Sequence, residues 1–212
     1  MDLNEIIQEY AGQPMTKHII LDILREYKRP YDKINEMVKR GELVLVKRGV
    51  YIPGPTLKIS KPEPFLLANH IYGPSYVSLE SALSYWGFIP ERVYEISSAT
   101  MLNGKIFKTP IGRFSYFHLP LPYYSFGIRQ VELTRNQRIM MASPEKALCD
   151  AIINTSGLML RSCKQVKEWL FDDMRISKEN ILNLDYKEIS KWVKEAPKQR
   201  SIEMLVKTLT GL

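Results

Sequence analysis

The first 54 residues constrain the fold most strongly, because three separate helical patterns are followed by two short strand patterns. In each helical stretch the apolar residues recur at spacings of three and four, which is typical of a helix that buries one face. Asp2 and Glu5 match a capping box at the start of the first helix. Gly12 and Pro14 end that helix, Pro30 suits the first turn of the third, and Gly41 ends it. The three apolar sets are Ile6, Ile7 and Tyr10, then Ile19, Ile20, Ile23, Leu24 and Tyr27, then Ile34, Met37 and Val38.

Two apolar runs, 43–46 and 50–52, follow the third helix and flank Lys47, Arg48 and Gly49. Short β-branched runs around a glycine-containing turn are typical of a hairpin. Three helices followed by a hairpin with a basic tip is the order of a winged helix-turn-helix. An alternative stays open, in which the charges form a solvated face and the unit binds another protein.

Closely spaced prolines then divide the chain. Periodicity fades between Pro53 and Pro64, as expected of a linker. We therefore expect a winged helix-turn-helix domain over 1–54, a linker over 55–64, and a further domain over 65–212. The middle of that domain, to about residue 157, mixes both periods, whereas the tail from about residue 160 has helical spacing only. The predicted fold class is α+β, with a mixed middle unit and a helical C-terminal tail.

Local signals place several elements in the last domain. Aromatic and β-branched runs at 93–97, 114–118 and 126–131 predict strands. Ser78 can cap a short helix that Gly87 closes, and Ser143 with Pro144 opens another. Two further capping boxes begin tail helices, and these are Ser162 with Gln165 and Asp185 with Glu188.

The charge balance favours a polyanionic partner. The chain has 30 Lys and Arg against 23 Asp and Glu, a formal charge of +7. Residues 25–48 contain eight basic and four acidic side chains, so part of the excess falls in the first domain. Such a patch is the electrostatic footprint expected of a nucleic-acid-binding domain.

A winged helix-turn-helix places its third helix in the major groove, where each base pair presents a distinct pattern of donors and acceptors. With Ile34, Met37 and Val38 turned inward, the other side chains of 30–40 are expected nearer solvent. The Asn35 amide suits adenine, Lys33 suits guanine or a phosphate, and the cations of the turns suit phosphates. The predicted DNA-binding residues are Lys28, Arg29, Tyr31, Lys33, Asn35, Lys39, Arg40, Lys47 and Arg48.

Other classes of protein find little support. No apolar run is long enough to span a bilayer, and the N-terminus lacks the features of a signal peptide, so we expect a cytoplasmic protein without a membrane partner. Cys149 and Cys163 are too few for a disulfide scaffold. With His18, His70 and His118 they are also poorly spaced for zinc. We expect no metal and no cofactor.

Enzymatic motifs are also lacking, and we predict no catalytic residue. The sequence contains neither a Gly-x-Ser-x-Gly elbow nor the glycine-rich fingerprints of phosphate and dinucleotide sites. Glu145 and Asp150 form the most interesting acidic pair, because a metal-dependent nuclease needs clustered carboxylates. A metal-dependent enzyme tethered to DNA therefore stays as a lesser alternative. The aromatic stretch 116–126 is expected to build a core or a protein interface rather than to stack nucleic-acid bases.

Several runs resemble one family. Gly41-Glu42-Leu43 and Lys47-Arg48-Gly49-Val50-Tyr51 resemble the end of the N-terminal DNA-binding domain in AbiEi-type antitoxins of bacterial type IV toxin-antitoxin systems. The resemblance covers about residues 30 to 155, and the order of its short motifs is the stronger signal. The runs that resemble the segments following in that family are Tyr76-Val77-Ser78-Leu79-Glu80-Ser81-Ala82-Leu83, Thr109-Pro110-Ile111-Gly112 and Ala142-Ser143-Pro144-Glu145-Lys146-Ala147-Leu148-Cys149-Asp150.

The resemblance implies an antitoxin that represses its own promoter and opposes a nucleotidyltransferase-like toxin without forming a stable complex with it. It transfers no toxin-contacting residue to this chain, and the tail after residue 160 matches no motif. The alternative is a winged-helix transcriptional regulator whose second domain senses or binds something unrelated.

Overall fold

The computed structural model describes residues 3–91, 93–134 and 136–212, without the side chain of Asn4. It is a mixed α+β structure with two sheets, which confirms the α+β class. The predicted capping box of Asp2 with Glu5 includes a residue outside the described ranges. Among the helices of those ranges, none has the length and apolar character needed to cross a bilayer.

The N-terminal unit, residues 3–54, has its own small core. Ile7, Met15, Ile20, Leu24 and Met37 are almost completely buried there. Met15 belongs to a two-residue strand that the sequence patterns did not predict. The elements, in order, are α1 (Leu3–Glu9), β1 (Met15–Thr16), α2 (Lys17–Ile23), α3 (Pro30–Lys39), β2 (Leu43–Lys47) and β3 (Val50–Pro53).

Local chemistry explains the ends of these elements. The Thr16 side chain accepts a hydrogen bond from the amide of Ile19 and so caps α2. Pro30 is the first residue of α3, where its missing N–H costs no helical hydrogen bond. Gly41 follows α3 with a φ of +71°, a conformation that glycine adopts without strain. The predicted helices and hairpin of this unit are therefore confirmed, and β3 is the central strand of the order β1-β3-β2.

Residues 55–64, the predicted linker, contact the N-terminal unit closely. Pro55–Leu57 form a 3₁₀ turn. The Thr56 hydroxyl donates to the Gly41 carbonyl at 2.7 Å, and the Gly12 amide donates to the Ser60 carbonyl at 2.9 Å. This part of the chain is therefore anchored on the unit that it leaves.

The C-terminal unit, residues 64–212, begins with a six-stranded sheet and three helices. The bounds are α4 (Pro64–Ile71), β4 (Ser75–Val77), α5 (Leu79–Tyr85), β5 (Glu95–Thr100), β6 (Lys105–Thr109), β7 (Gly112–His118), β8 (Ile128–Thr134), β9 (Gln137–Ala142) and α6 (Pro144–Asn154). The strand order is β6-β7-β5-β4-β9-β8, with β4–β9 and β5–β7 parallel and the other neighbours antiparallel. The predicted strands at 93–97, 114–118 and 126–131 correspond to β5, β7 and β8 with shifted ends.

The tail is helical, as its spacing predicts, and it packs into the same core as the sheet. Ser162 and Asp185 cap their helices, each accepting a hydrogen bond from a backbone amide of the first turn. A π-helical turn, Trp169–Asp173, follows the first tail helix. The helices are α7 (Cys163–Glu168), α8 (Lys178–Leu182), α9 (Tyr186–Trp192) and α10 (Gln199–Thr210).

The β2–β3 hairpin joins the two units. Val46, Val50 and Ile52 are buried in the core cluster of the C-terminal unit rather than in that of the N-terminal unit. Burial of three β-branched side chains contributes several kcal/mol, at roughly 1.5–3 kcal/mol each. The hairpin is therefore held against the C-terminal unit, and its turn at Arg48 and Gly49 is left at the surface.

Candidate nucleic-acid interface

One stripe of α3 faces solvent. Tyr31, Asn35 and Lys39 follow each other at intervals of four residues, so they lie along one side of the helix, and all three are exposed. Ile34 and Met37 lie on the other side and are 3% and 1% exposed. The separation of exposed from buried residues on α3 follows directly from the helical period. An amide, a phenol and an ammonium group are thereby presented together on a helix that the core holds rigidly.

Acidic side chains on α3 engage part of its positive charge. Glu36 lies 2.5 Å from the guanidinium of Arg40, and Asp32 lies 3.9 Å from that of Arg29. Arg29 and Arg40 stay largely exposed, so these pairs are screened by water and easily exchanged for a phosphate.

The Lys33 side chain is largely shielded from solvent, whereas the sequence predicted an exposed one. Its side chain is only 20% exposed, and its ammonium group donates to Glu36 at 3.2 Å. The same group lies 5.7 Å from the centroid of the Tyr27 ring. The reason is the position of Lys33 in the helix, which is close to the buried stripe, so its stem packs inward while its charge is neutralised locally.

Lys17 is an additional cation beside this stripe that the sequence analysis missed. Its ammonium group lies 4.7 Å from the centroid of the Tyr31 ring, a cation–π contact. Lys17 is the first residue of α2 and is exposed. The two-residue β1 and the Thr16 cap bring the start of α2 against α3. The available signal in the sequence was a lysine directly after a threonine that can cap a helix.

The hairpin turn presents Arg48 but not Lys47. Arg48 is exposed and forms no salt bridge with any described residue. The Lys47 ammonium group, in contrast, donates to the Ile71 carbonyl at the end of α4 and lies 5.4 Å from the Phe107 ring centroid. Burial, with the nearby charge of Lys105, lowers the pKa of Lys47 below its usual range. The prediction that Lys47 projects from the turn beside Arg48 is therefore wrong, because its side chain is directed to the C-terminal unit.

Lys28 and Lys39 are two further exposed cations near α3. Within the described ranges neither one pairs with a carboxylate. Lys28 lies in the turn before α3, and Lys39 lies in the last turn of that helix. Seven of the nine predicted residues are exposed. Six of them lie on α3 or at its ends, and these are Lys28, Arg29, Tyr31, Asn35, Lys39 and Arg40, whereas Arg48 lies in the hairpin turn.

A second group of polar residues lies at the centre of the C-terminal unit. Lys146 and Asp150, one turn apart on α6, are 0% exposed and are 3.1 Å apart. Asp150 also accepts hydrogen bonds from Tyr76 at 3.0 Å, Ser78 at 2.7 Å and Tyr123 at 3.0 Å. Sequence reasoning did not single out Lys146, although a lysine and an aspartate four residues apart among apolar neighbours indicate a buried pair.

These contacts change the interpretation of two sequence features, the cap at Ser78 and the acidic pair of Glu145 with Asp150. Ser78 precedes α5 at the capping position, but its hydroxyl donates to Asp150 and makes no capping bond. The Glu145 carboxylate does not pair with Lys146 or Asp150. It accepts a hydrogen bond from the backbone amide of Asp185 at 3.2 Å and lies 3.7 Å from the guanidinium of Arg129. Glu145 and Asp150 therefore hold different structural partners. Among the described residues, no three His, Cys, Asp or Glu side chains group in a way that could hold a metal ion.

Comparison with known proteins shows a shared fold. No family model matches the chain, and no curated protein matches it. Its mixed α+β arrangement is, however, that of a solved protein. The crystal structure of the RV2827C protein from Mycobacterium tuberculosis superposes with a TM-score of 0.63 at 15% sequence identity, covering 98% of this chain and 75% of that one. At such low identity the similarity concerns the fold alone.

Proposed function

We propose that this protein binds double-stranded DNA through a winged helix formed by its N-terminal unit and represses its own promoter. The observation that carries the proposal is the solvent-facing stripe of Tyr31, Asn35 and Lys39 on α3, beside the exposed Arg48 of the hairpin turn. The element order α1-β1-α2-α3-β2-β3 supports it, since α2 and α3 then form the helix-turn-helix and the hairpin forms the wing.

In this proposal α3 lies in the major groove. The Asn35 amide makes a bidentate contact with adenine, which needs one donor and one acceptor and is therefore specific. Lys28 and Arg40 flank the stripe and contact phosphates, as does Arg48 on the wing. Such contacts fix the orientation of the protein on the duplex without reading the base sequence.

The first test is a titration of the full chain against the DNA immediately upstream of its own gene, beside a scrambled duplex, at several salt concentrations. A sequence-specific repressor prefers the upstream DNA and loses affinity steeply as salt rises, because bound phosphates release counterions. Equal and weak binding to both duplexes would refute DNA recognition and favour a protein-binding role for the N-terminal unit.

Two variants separate the proposed roles. Arg48→Ala should weaken binding to all duplexes about equally and lower the slope of log affinity against log salt by about 0.9. Arg200→Ala is the matched control, because Arg200 is exposed on α10, which packs on α7 and α9 in the tail. Asn35→Ala should instead reduce the preference for the upstream DNA, by about 1–3 kcal/mol at the base it contacts. Equal effects of Arg48→Ala and Arg200→Ala would contradict the assignment of the wing.

The antitoxin role extends the proposal to the C-terminal unit. Its support is the resemblance carried by the runs that begin at Gly41, Tyr76, Thr109 and Ala142. The toxin would be nucleotidyltransferase-like and encoded beside this chain, and it would be opposed without a stable complex. The role is tested by expressing that neighbouring gene with and without this protein. We expect the toxin alone to stop growth and co-expression with this protein to restore it.

A regulator with an unrelated second unit is the other candidate. A cavity of about 580 Å³ favours it, since that volume is in the range of ligand-binding clefts. Leu79, Ile89 and Met174 contribute apolar surface to the cavity, and Glu80 contributes a carboxylate. An unrelated neighbouring gene, or no rescue from the toxin, would favour this candidate over the antitoxin.

A further inference from the structure

Two lysine ammonium groups from different units contact the same aromatic ring where the hairpin meets the six-stranded sheet. Lys47 leaves the end of β2 and Lys105 begins β6. Their nitrogen atoms lie 5.4 Å and 5.1 Å from the centroid of the same ring, that of Phe107, so they are at most about 10.5 Å apart. Lys105 also lies 5.8 Å from the centroid of the Tyr72 ring.

This pair lacks a protein counterion. Neither lysine forms a salt bridge with a carboxylate of the described residues, whereas Arg113 on the neighbouring strand β7 is compensated by Glu95 at 2.7 Å. Burial lowers the pKa of Lys47 and the charge of Lys105 lowers it further, so the two cations repel each other, and an anion that contacts both reduces that repulsion. Aromatic faces hold the ammonium groups in place without neutralising them.

Both lysines retain hydrogen-bond donors. An ammonium group has three N–H donors, and Lys47 uses one on the Ile71 carbonyl. Lys105 is exposed, and its described contacts are with aromatic rings. Each ammonium group can therefore donate to the oxygens of a phosphate.

We propose that Lys47 and Lys105 form a phosphate-binding site through which the C-terminal unit contacts the backbone of the same DNA duplex. This inference rests on the proposed function and extends it. Lys47 directly precedes the exposed Arg48, so its backbone belongs to the wing while its side chain reaches Phe107 on β6, the strand that carries Lys105. A site next to the wing favours duplex DNA as the source of the phosphate.

The inference predicts a role for Lys105 that sequence reasoning did not assign. Lys105→Ala should lower the salt slope on upstream DNA by about 0.9, the loss of one phosphate contact, whereas Lys105→Arg should keep the slope. Lys108→Ala is the matched control, because Lys108 is an exposed lysine of the same strand whose side chain points to the opposite face. Unchanged tryptophan fluorescence and urea unfolding check that each variant is folded.

The dependence of binding on duplex length tests where on the DNA the Lys47–Lys105 site makes its contact. When the DNA is shortened stepwise on the side of the wing, the effect of Lys105→Ala should disappear before that of Arg48→Ala. If Arg48→Ala lowers the slope but Lys105→Ala does not, or if Lys108→Ala has the same effect as Lys105→Ala, the phosphate site is refuted while the DNA-binding function stands. If the wild-type protein binds upstream and scrambled DNA equally weakly, the proposed function itself fails.

Discussion

Replacing Lys146 by Met should destabilise the C-terminal unit by about 3–5 kcal/mol, the usual cost of removing one partner from a buried ion pair. Both side chains of the pair are 0% exposed, so water cannot replace the lost ammonium group. Asp150 keeps three hydroxyl donors but loses its only described cationic neighbour, and the Tyr123 carbonyl loses the donor that lies at 3.0 Å. Methionine is an unbranched side chain of similar length, which limits the loss of packing.

The assay is urea unfolding followed by tryptophan fluorescence. All three tryptophans, Trp86, Trp169 and Trp192, lie in the C-terminal unit, so their signal reports on the unit that contains the pair. With an m-value of about 1–3 kcal/mol per M, the unfolding midpoint should fall by about 1 M or more.

A double variant tests the electrostatic reason. Asn at position 150 keeps a side-chain oxygen that can accept hydrogen bonds but carries no charge. In the Lys146→Met background, Asp150→Asn should therefore cost much less than it does in the wild-type protein, because it removes an uncompensated buried charge. An unchanged midpoint for Lys146→Met, or strictly additive effects of the two changes, would refute the reasoning.

Two further changes test the environment of α6. Burial raises the pKa of Cys149 to about 12 from its ordinary value of 9.0, so above about pH 9 the unfolded chain loses a proton that the folded chain keeps, and stability falls as pH rises. Cys149→Ala should remove up to about 1.4 kcal/mol per pH unit of that decline, measured by urea unfolding at pH 8, 9 and 10, and an unchanged decline would contradict the assignment. Gly127→Ala should cost more than Gly157→Ala in the same assay. Both glycines have positive φ, with a cost of about 1–2 kcal/mol for alanine, but only at Gly127 would the new Cβ overlap Lys146, at 2.6 Å. Equal costs would refute the overlap.

Local signals in the sequence predicted most of the helices, although α4 and α8 were missed. The stripe of Ile34 and Met37, together with Pro30 at the first position, defined α3, because side-chain period and proline geometry act within a few residues. The cap of Ser143 on α6 was predicted for the same reason and is present. Strand β6 was missed, since its exposed edge position gives it a weak alternation of apolar and polar residues.

The candidate interface was predicted in part. Tyr31, Asn35 and Lys39 are exposed because the helical period alone puts them opposite the buried stripe. Lys47 departs from the prediction because its partners, Ile71 and Phe107, come from elements 24 and 60 residues further along the chain. A contact between such distant positions leaves no periodic signal in either segment.

What the sequence by itself determined is therefore the order of the first three helices and the hairpin, the α+β class and the exposed side of α3, since each depends on residues close together in the chain. The tertiary structure decided the rest. It placed the hairpin against the C-terminal unit, directed Lys47 toward Lys105, and enclosed Lys146 with Asp150 among tyrosines. The physical reason is that burial and the partner of a charge depend on which distant surfaces pack together, and this packing sets both the desolvation of a charged group and the contacts that compensate it.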